Sequence, residues 1–183
     1  MVFEEKDLVE NLRQDKTRKL AFHILVKEYQ ERLYWHIRKI ILNHDDTDDV
    51  LQNTFLKAWH GIENFKGESS LFTWLYKIAT NEAITFLNKK KKRNIFSPQE
   101  EIHNYLINSI ESEEHFSGDK IQKKLQEAII RLPEKQRLVF NMKYFDEMKY
   151  QEISEILETS VGALKASYHH AVKKIEEYLK NSE

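Results

Sequence analysis

Histidine and carboxylate side chains are the first candidates for chemistry in this chain. His44-Asp45-Asp46 has the make-up of half a metal-dependent phosphohydrolase site, which would need further His and Asp ligands. His23 and His36 lie upstream, but a spacing of 13 residues does not set them side by side on one helical face. His169 and His170 are adjacent, so on a helix they point about 100° apart and do not easily share one metal. The Asp cluster reads better as a source of helix-capping oxygens. The 183 residues include no cysteine, which removes disulfides and thiolate chemistry. No phosphate-cradling glycine loop and no Ser-His-Asp arrangement is visible. An enzyme, a metal and a cofactor are therefore not expected.

Binding chemistry is better represented. Tyr150 to Ile175 reads as two helices joined by a tight turn around Glu158 and Thr159. The first carries Ile153, Ile156 and Leu157 at i, i+3, i+4 spacing; the second starts at Ser160, a good N-cap. Val161, Leu164, Tyr168, Ala171, Val172, Ile175 and Leu179 gather on one side of that second helix. The other side shows Gly162, Ala163, Ala166, His169, His170 and Lys173, with Lys165 at the border. It is small near the helix start and basic further along. A helix docked end-first into a major groove needs such a face, with little bulk near base edges and donors for phosphates along its length. The same spacing also fits an ordinary helical hairpin with one wet face.

A second binding surface is suggested upstream. The ten residues from Gly61 to Ser70 hold two of the four glycines and two serines, which marks a loop. A helix is predicted from Ser70 to about Lys91, carrying Phe72, Trp74 and Phe86, and it runs into the five cations Lys89–Arg93. Aromatic rings near a loop, followed by a run of cations, hold single-stranded nucleic acid through base stacking and phosphate pairing. The plain alternative makes the aromatics core and the cations a helix C-terminal cap, although five cations exceed what capping needs. Charge is partitioned to match: residues 66–94 carry a net +5 and residues 95–119 a net −6, within a chain of net −1. A basic block beside an acidic one points to a local anionic partner rather than a uniformly basic coat.

The elements that must position these groups are helical. Four glycines and two prolines leave little strand punctuation, and helical periodicity dominates, so an all-α fold is expected. Helices are predicted over about 5–14, 17–42, 46–60, 70–91, 120–131 and 133–144, followed by the hairpin. Leu20 and Ile121 count among the inward positions, and Pro133 opens its helix in the first turn. Residues 94–119, whose only charges are negative, read as a linker in which Ile102, Tyr105, Leu106 and Ile110 could form one short docking helix. The expected organisation is a domain over 1–94, a linker over 95–119 and a second domain over 120–183, whose roughly 60 residues make a core marginal on its own. No apolar run reaches the roughly 18 residues of a membrane span, and MVFEEKDLVE lacks a signal pattern, so a cytoplasmic location without membrane insertion is expected.

Three motifs in order then carry a family likeness. Asp48-Asp-Val-Leu-Gln-Asn-Thr-Phe-Leu-Lys-Ala-Trp59 resembles the segment of bacterial sigma factors that binds core polymerase. Phe65-Lys-Gly-Glu-Ser-Ser-Leu-Phe-Thr-Trp-Leu-Tyr-Lys-Ile-Ala-Thr-Asn81 resembles their minus-ten reading and melting segment. Leu132-Pro-Glu-Lys-Gln-Arg-Leu-Val-Phe140, with Tyr150-Gln-Glu-Ile153 and Ser160-Val-Gly-Ala-Leu-Lys165, resembles their minus-thirty-five reading segment. Two domains and a short linker are similar to the extracytoplasmic-function group, with sigma regions 2 and 4.

The resemblance implies partners and roles. Core RNA polymerase would meet Asp48, Asp49, Gln52, Asn53 and Phe55. Single-stranded promoter DNA at minus ten would meet Asn64, Phe65, Lys66, Ser69, Ser70, Trp74, Lys77, Asn81, Lys89 and Lys90. Duplex promoter DNA at minus thirty-five would meet Ser160, Lys165, Ser167, His169, His170 and Lys173. An anti-sigma factor is a further candidate partner. Departures from the family pattern include Glu158 where the hairpin turn often has Gly, Thr80 where Arg often precedes Asn, and Ser167, His170 and Val172 where Arg is frequent. Fewer fixed cations imply low DNA affinity without polymerase. A stand-alone helix-turn-helix regulator would leave the basic-aromatic block unused, and a helical interaction adaptor would not explain the small-then-basic face.

Overall fold

The computed structural model describes residues 5–91, 98–111 and 120–181. Among them it contains helices and no strand. In chain order the helices are α1 (Glu5–Arg13), α2 (Asp15–Ile41), α3 (His44–Gly61), a single 3₁₀ turn (Ile62–Asn64), α4 (Leu71–Lys91), α5 (Pro98–Glu111), α6 (Lys120–Ile130), α7 (Glu134–Phe140), α8 (Tyr150–Leu157) and α9 (Val161–Lys180). α2, α3 and α4 pack on one another, with α1 laid across α2 and the 3₁₀ turn. α6, α7 and α9 form the C-terminal bundle, and α8 bridges α9 and α4.

Local chemistry fixes the helix ends. α2 stops where Leu42 turns left-handed (φ 67°), its N–H bonding Arg38 O at 2.8 Å. Asn43 then caps α3, its side chain accepting from Asp46 N at 2.9 Å. Asp45 and Asp46 sit in the first turn, where the helix dipole favours negative charge. The cap oxygen is thus Asn43's, while the Asp46 carboxylate accepts from Lys90 and Tyr105; no metal-binding group of His and carboxylates occurs among the described residues. Ser70 caps α4 by accepting from Thr73 N at 3.1 Å. Pro133 stands one position earlier than expected, at the N-cap of α7 with an extended ψ of 143°. α8 ends at Glu158, held left-handed at φ 50° where glycine would be unstrained, and Ser160 caps α9 by accepting from Ala163 N.

α7 does not end cleanly. Over Asn141–Phe145 it widens into a π-type turn, closed by Asp146 N on Asn141 O at 3.1 Å. Such insertions re-aim the residues that follow them and often mark functional positions. Here the residue re-aimed is Asp146.

The buried interior crosses from the N-terminal to the C-terminal part of the chain. Leu25, Leu33, Ile37, Leu75 and Ala79 belong to one continuous cluster with Leu138, Val139, Met142, Ile153, Ile156 and Leu164. A smaller cluster of Ala128, Ile129, Leu132, Phe140, Ala171 and Ile175 lies within the C-terminal bundle. α5 is part of the first: Ile102, Leu106 and Ile110 are buried, and the helix packs on α4 and α6. The short docking helix within residues 94–119 thus exists; residues 94–97 and 112–119 lie outside the described residues. Two inward expectations fail. Leu20 is 67% exposed and Ile121 is 76% exposed. Along each helix the apolar spacing continues past the face that is buried.

Candidate nucleic-acid interface

The Gly61–Ser70 segment folds into the 3₁₀ turn and a short loop that α1 and α2 hold from behind. Arg13 donates to Phe65 O, Arg18 pairs with Glu63 and donates to Trp59 O at 2.6 Å, and Glu5 accepts from Leu71 N at 2.7 Å. Gly67 supplies the left-handed turn at φ 75°. Gly61 leaves room for Trp74: a Cβ there would meet the indole at 3.4 Å.

Between this loop and α4 lies a cleft of about 600 Å³. Phe65 and Trp74 form its aromatic wall, with ring centroids 5.1 Å apart and tilted by 45°. Asn64, Lys66, Glu68 and Ser69 line the loop side, and Thr73 and Lys77 the helix side. An aromatic wall, amide and hydroxyl groups and two ammonium groups can take a base and a neighbouring phosphate. Of the residues expected to meet single-stranded DNA, the cleft gathers Asn64, Phe65, Lys66, Ser69, Trp74 and Lys77. Phe65 is only 5% exposed, so its ring serves as wall and not as a free stacking face. Ser70 is spent on the cap of α4. Asn81 is exposed two turns of α4 beyond Trp74. Glu68 and Thr73 were missed; the Ser70-x-x-Thr73 capping pattern was the signal that could have found Thr73.

The cation run divides. Lys89 is exposed. Lys90 turns inward: it donates to Asp46 Oδ2 at 3.2 Å and sits 4.2 Å from the Tyr105 ring centroid and 5.0 Å from that of Phe86. Tyr105 donates to the same Asp46 oxygen at 2.7 Å. Burial, and then that bond to Asp46, push the Tyr105 phenol far above its ordinary range. Lys91 pairs with Glu134 at 2.6 Å. Lys90 is therefore a structural link between α3, α4 and α5, because a carboxylate and two π-faces compete for it. Lys92 and Arg93 lie outside the described residues.

On α3, Asp48, Asp49, Gln52 and Asn53 are exposed together, and Leu56 beside them is 53% exposed. Phe55 is not on that face. It is half-buried, edge-on to Phe22 at 6.4 Å. Leu56 is the apolar member of that face, off the buried stripe of Val50, Thr54 and Ala58.

On α9 the partition foreseen from the spacing is observed. Leu164, Ala171 and Ile175 are buried, whereas Gly162, Ala163, Lys165, Ala166, His169, His170 and Lys173 are all exposed. Ser167 is partly buried, and Ser160 spends its hydroxyl oxygen on Ala163 N.

Two family models match the chain. One is described as "Sigma-70 region 2", over residues 25–93, and the other as "Sigma-70, region 4", over residues 122–175. The chain belongs to the sigma-70 family. Its relatives are extracytoplasmic-function sigma factors: it is 29% identical over 182 residues to the ECF RNA polymerase sigma-E factor of Haemophilus influenzae, covering 94% of this chain and 93% of that one. The ECF RNA polymerase sigma factor SigW of Bacillus subtilis is 29% identical over 168 residues, covering 88% and 90% respectively. Solved structures share the fold. They include the sigma factor RpoE with the anti-sigma factor NepR from Bartonella quintana (TM-score 0.66, 19% identity, 87% of this chain and 96% of that chain). CnrH with the cytosolic domain of CnrY gives a TM-score of 0.70 at 20% identity over 98% and 99%. This RNA polymerase sigma factor thus carries the cleft within region 2 and the exposed face of α9 within region 4. No described helix is long and apolar enough to cross a membrane.

Proposed function

We propose that region 2 captures the non-template strand at minus ten in the Phe65–Trp74 cleft while region 4 reads duplex DNA at minus thirty-five through α9. The domain limits proposed are 1–94 and 120–183. The exposed face of α3, with Asp48, Asp49, Gln52, Asn53 and Leu56, docks on core RNA polymerase. In the cleft, Trp74 stacks on an unpaired base, Asn64 and Ser69 supply hydrogen bonds, and Lys66 and Lys77 hold phosphates. Unstacking a base costs a few kcal/mol, offset by the cleft and by polymerase contacts. On α9 the small residues Gly162, Ala163 and Ala166 allow close approach to base edges. Lys165, His169, His170 and Lys173 lie along the phosphates.

The observation that carries this reading is the cleft itself: an aromatic wall with two flanking lysines, in the same chain as a helix whose exposed side is small and then basic. A stand-alone helix-turn-helix regulator would leave the cleft without a role. The chain makes no covalent bond of its own, and it works in the cytoplasm beside polymerase and DNA. An anti-sigma factor is proposed as a further partner, supported by the anti-sigma complex among its solved fold relatives.

In vitro transcription with purified core polymerase tests the proposal. Promoter-specific transcript that appears only with this chain is the expected result, and loss of open complex in Trp74→Ala is expected with it. A chain that binds operator DNA tightly yet never engages core overturns the reading.

A further inference from the structure

A second cavity, of about 450 Å³, lies where the end of α4, α5 and the turn from α6 into α7 meet. It shares no lining residue with the Phe65–Trp74 cleft. Its volume is that of a small-molecule pocket. Arg131 and Pro133 in its wall are exposed, so solvent reaches it.

The charged lining is mainly cationic. Lys91, Arg131 and Arg137 face one carboxylate, that of Glu134, and His103 adds an imidazole. Lys91 and Glu134 pair at 2.6 Å, which leaves two guanidinium charges over. Arg131 stacks on Tyr178, 5.0 Å from the ring centroid. Stacking uses the face of a guanidinium and leaves its in-plane N–H groups available.

Arg137 is the deciding residue, because it is buried at 6% exposure and poorly satisfied. Among the described residues its planar fork meets one acceptor, Ile130 O, 3.4 Å from Nη1 and beyond the usual hydrogen-bond range. Its Nε is buried without a partner. Burial pushes its pKa below the ordinary value and the charge of Glu134 acts the other way, but a guanidinium stays charged. A buried cation with unfilled donors is costly unless an anion supplies the acceptors. Phosphate fits such a fork, since two of its oxygens can accept parallel N–H bonds. Beside these donors the wall is apolar, with Ile102 and Leu132 buried and Pro133 exposed. A bare phosphate ion would leave that part uncovered.

We propose that this cavity binds a small organic phosphate, a phosphomonoester held by Arg137 and Arg131 with its organic body against Ile102, Leu132 and Pro133. The site is independent of the strand cleft and of the exposed face of α9. It gives a protein whose other surfaces take macromolecules a pocket of metabolite size.

Phenyl phosphate is the probe, titrated by calorimetry into the full-length chain beside inorganic phosphate. One site is expected, with a Kd below about 1 mM. Phenyl phosphate should bind about tenfold more tightly than inorganic phosphate, because the ring covers apolar wall. Arg137→Lys keeps the charge and loses the planar fork, and should weaken the probe about tenfold. Arg131→Gln, at an exposed position, should weaken it about threefold. Glu134→Gln removes the one carboxylate among the described lining residues and frees Lys91, so it should tighten binding about threefold.

No binding up to about 10 mM phenyl phosphate overturns the proposal. So does an affinity that none of the three variants alters, or inorganic phosphate binding as tightly as the probe. A DNA oligomer that displaces the probe, and that itself loses affinity in Arg137→Lys, overturns it too by making the cavity part of the DNA contact. If Arg137→Lys does not fold, the opposite responses of Arg131→Gln and Glu134→Gln decide.

Discussion

Asp146 shows how much one carboxylate can carry. Burial by itself would raise its pKa. The hydrogen bond and charge of His36, then the charge and hydrogen bond of Lys39, outweigh burial and hold it below the ordinary 3.8. The hydrogen bonds are consistent: the Thr80 hydroxyl gives its hydrogen to Tyr76 O at 2.7 Å and so accepts from His36 Nε2, and Asp146 accepts from Nδ1. A carboxyl with a depressed folded pKa stabilises above its unfolded value and loses that contribution as pH falls through the folded one. Asp146→Asn should therefore cost about 2 kcal/mol near neutral pH. The difference from the native chain should begin to shrink near 3.8 and vanish only once pH has fallen through the depressed folded value, as followed by urea unfolding across a pH series. Lys173 belongs to the same scale with the opposite environment. It is exposed on α9, so Lys173→Ala should leave stability unchanged and reduce the salt slope of promoter binding by about one.

At the scale of elements, α8 is the junction between the regions. Ile153 is fully buried within the shared core, and α8 packs against α4 as well as α9. Ile153→Ala should cost about 3 kcal/mol through lost burial and a cavity. The loss should appear in the unfolding of the whole chain and not of region 4 alone. α3 is the contrasting case, since it presents an acidic and amide face that is exposed among the described residues. Reversing Asp48 and Asp49 to Lys should weaken capture by immobilised core polymerase at least tenfold, about 1.4 kcal/mol or more, with the circular dichroism spectrum unchanged. An unchanged pull-down would remove α3 from the polymerase interface.

For the whole molecule, the continuous core predicts cooperativity. Among the described residues, the apolar interior private to region 4 consists of six buried side chains, and its other buried apolar side chains belong to the cluster shared with region 2. So small a core is marginal alone. Calorimetry should show one transition, with calorimetric and van't Hoff enthalpies equal. Two resolved transitions would mean that the regions fold independently and only touch.

The sequence by itself determined the helices, their caps and the faces that repeat along them. Asn43, Ser70 and Ser160 act through bonds to their own next turn, and the polar side of α9 follows from residues three and four apart. Those are local relations, fixed by helical geometry. The same local logic failed at Lys90 and Phe55, whose partners Tyr105 and Phe22 lie on other helices. It also failed for His36, which sequence spacing weighed only as a metal ligand. Tertiary structure alone decided that His36 meets Asp146, 110 residues away, and that Glu155 of α8 lines the Phe65–Trp74 cleft. Such a meeting depends on how two amphipathic surfaces dock and on one irregular turn after α7, and no periodicity along the chain encodes either.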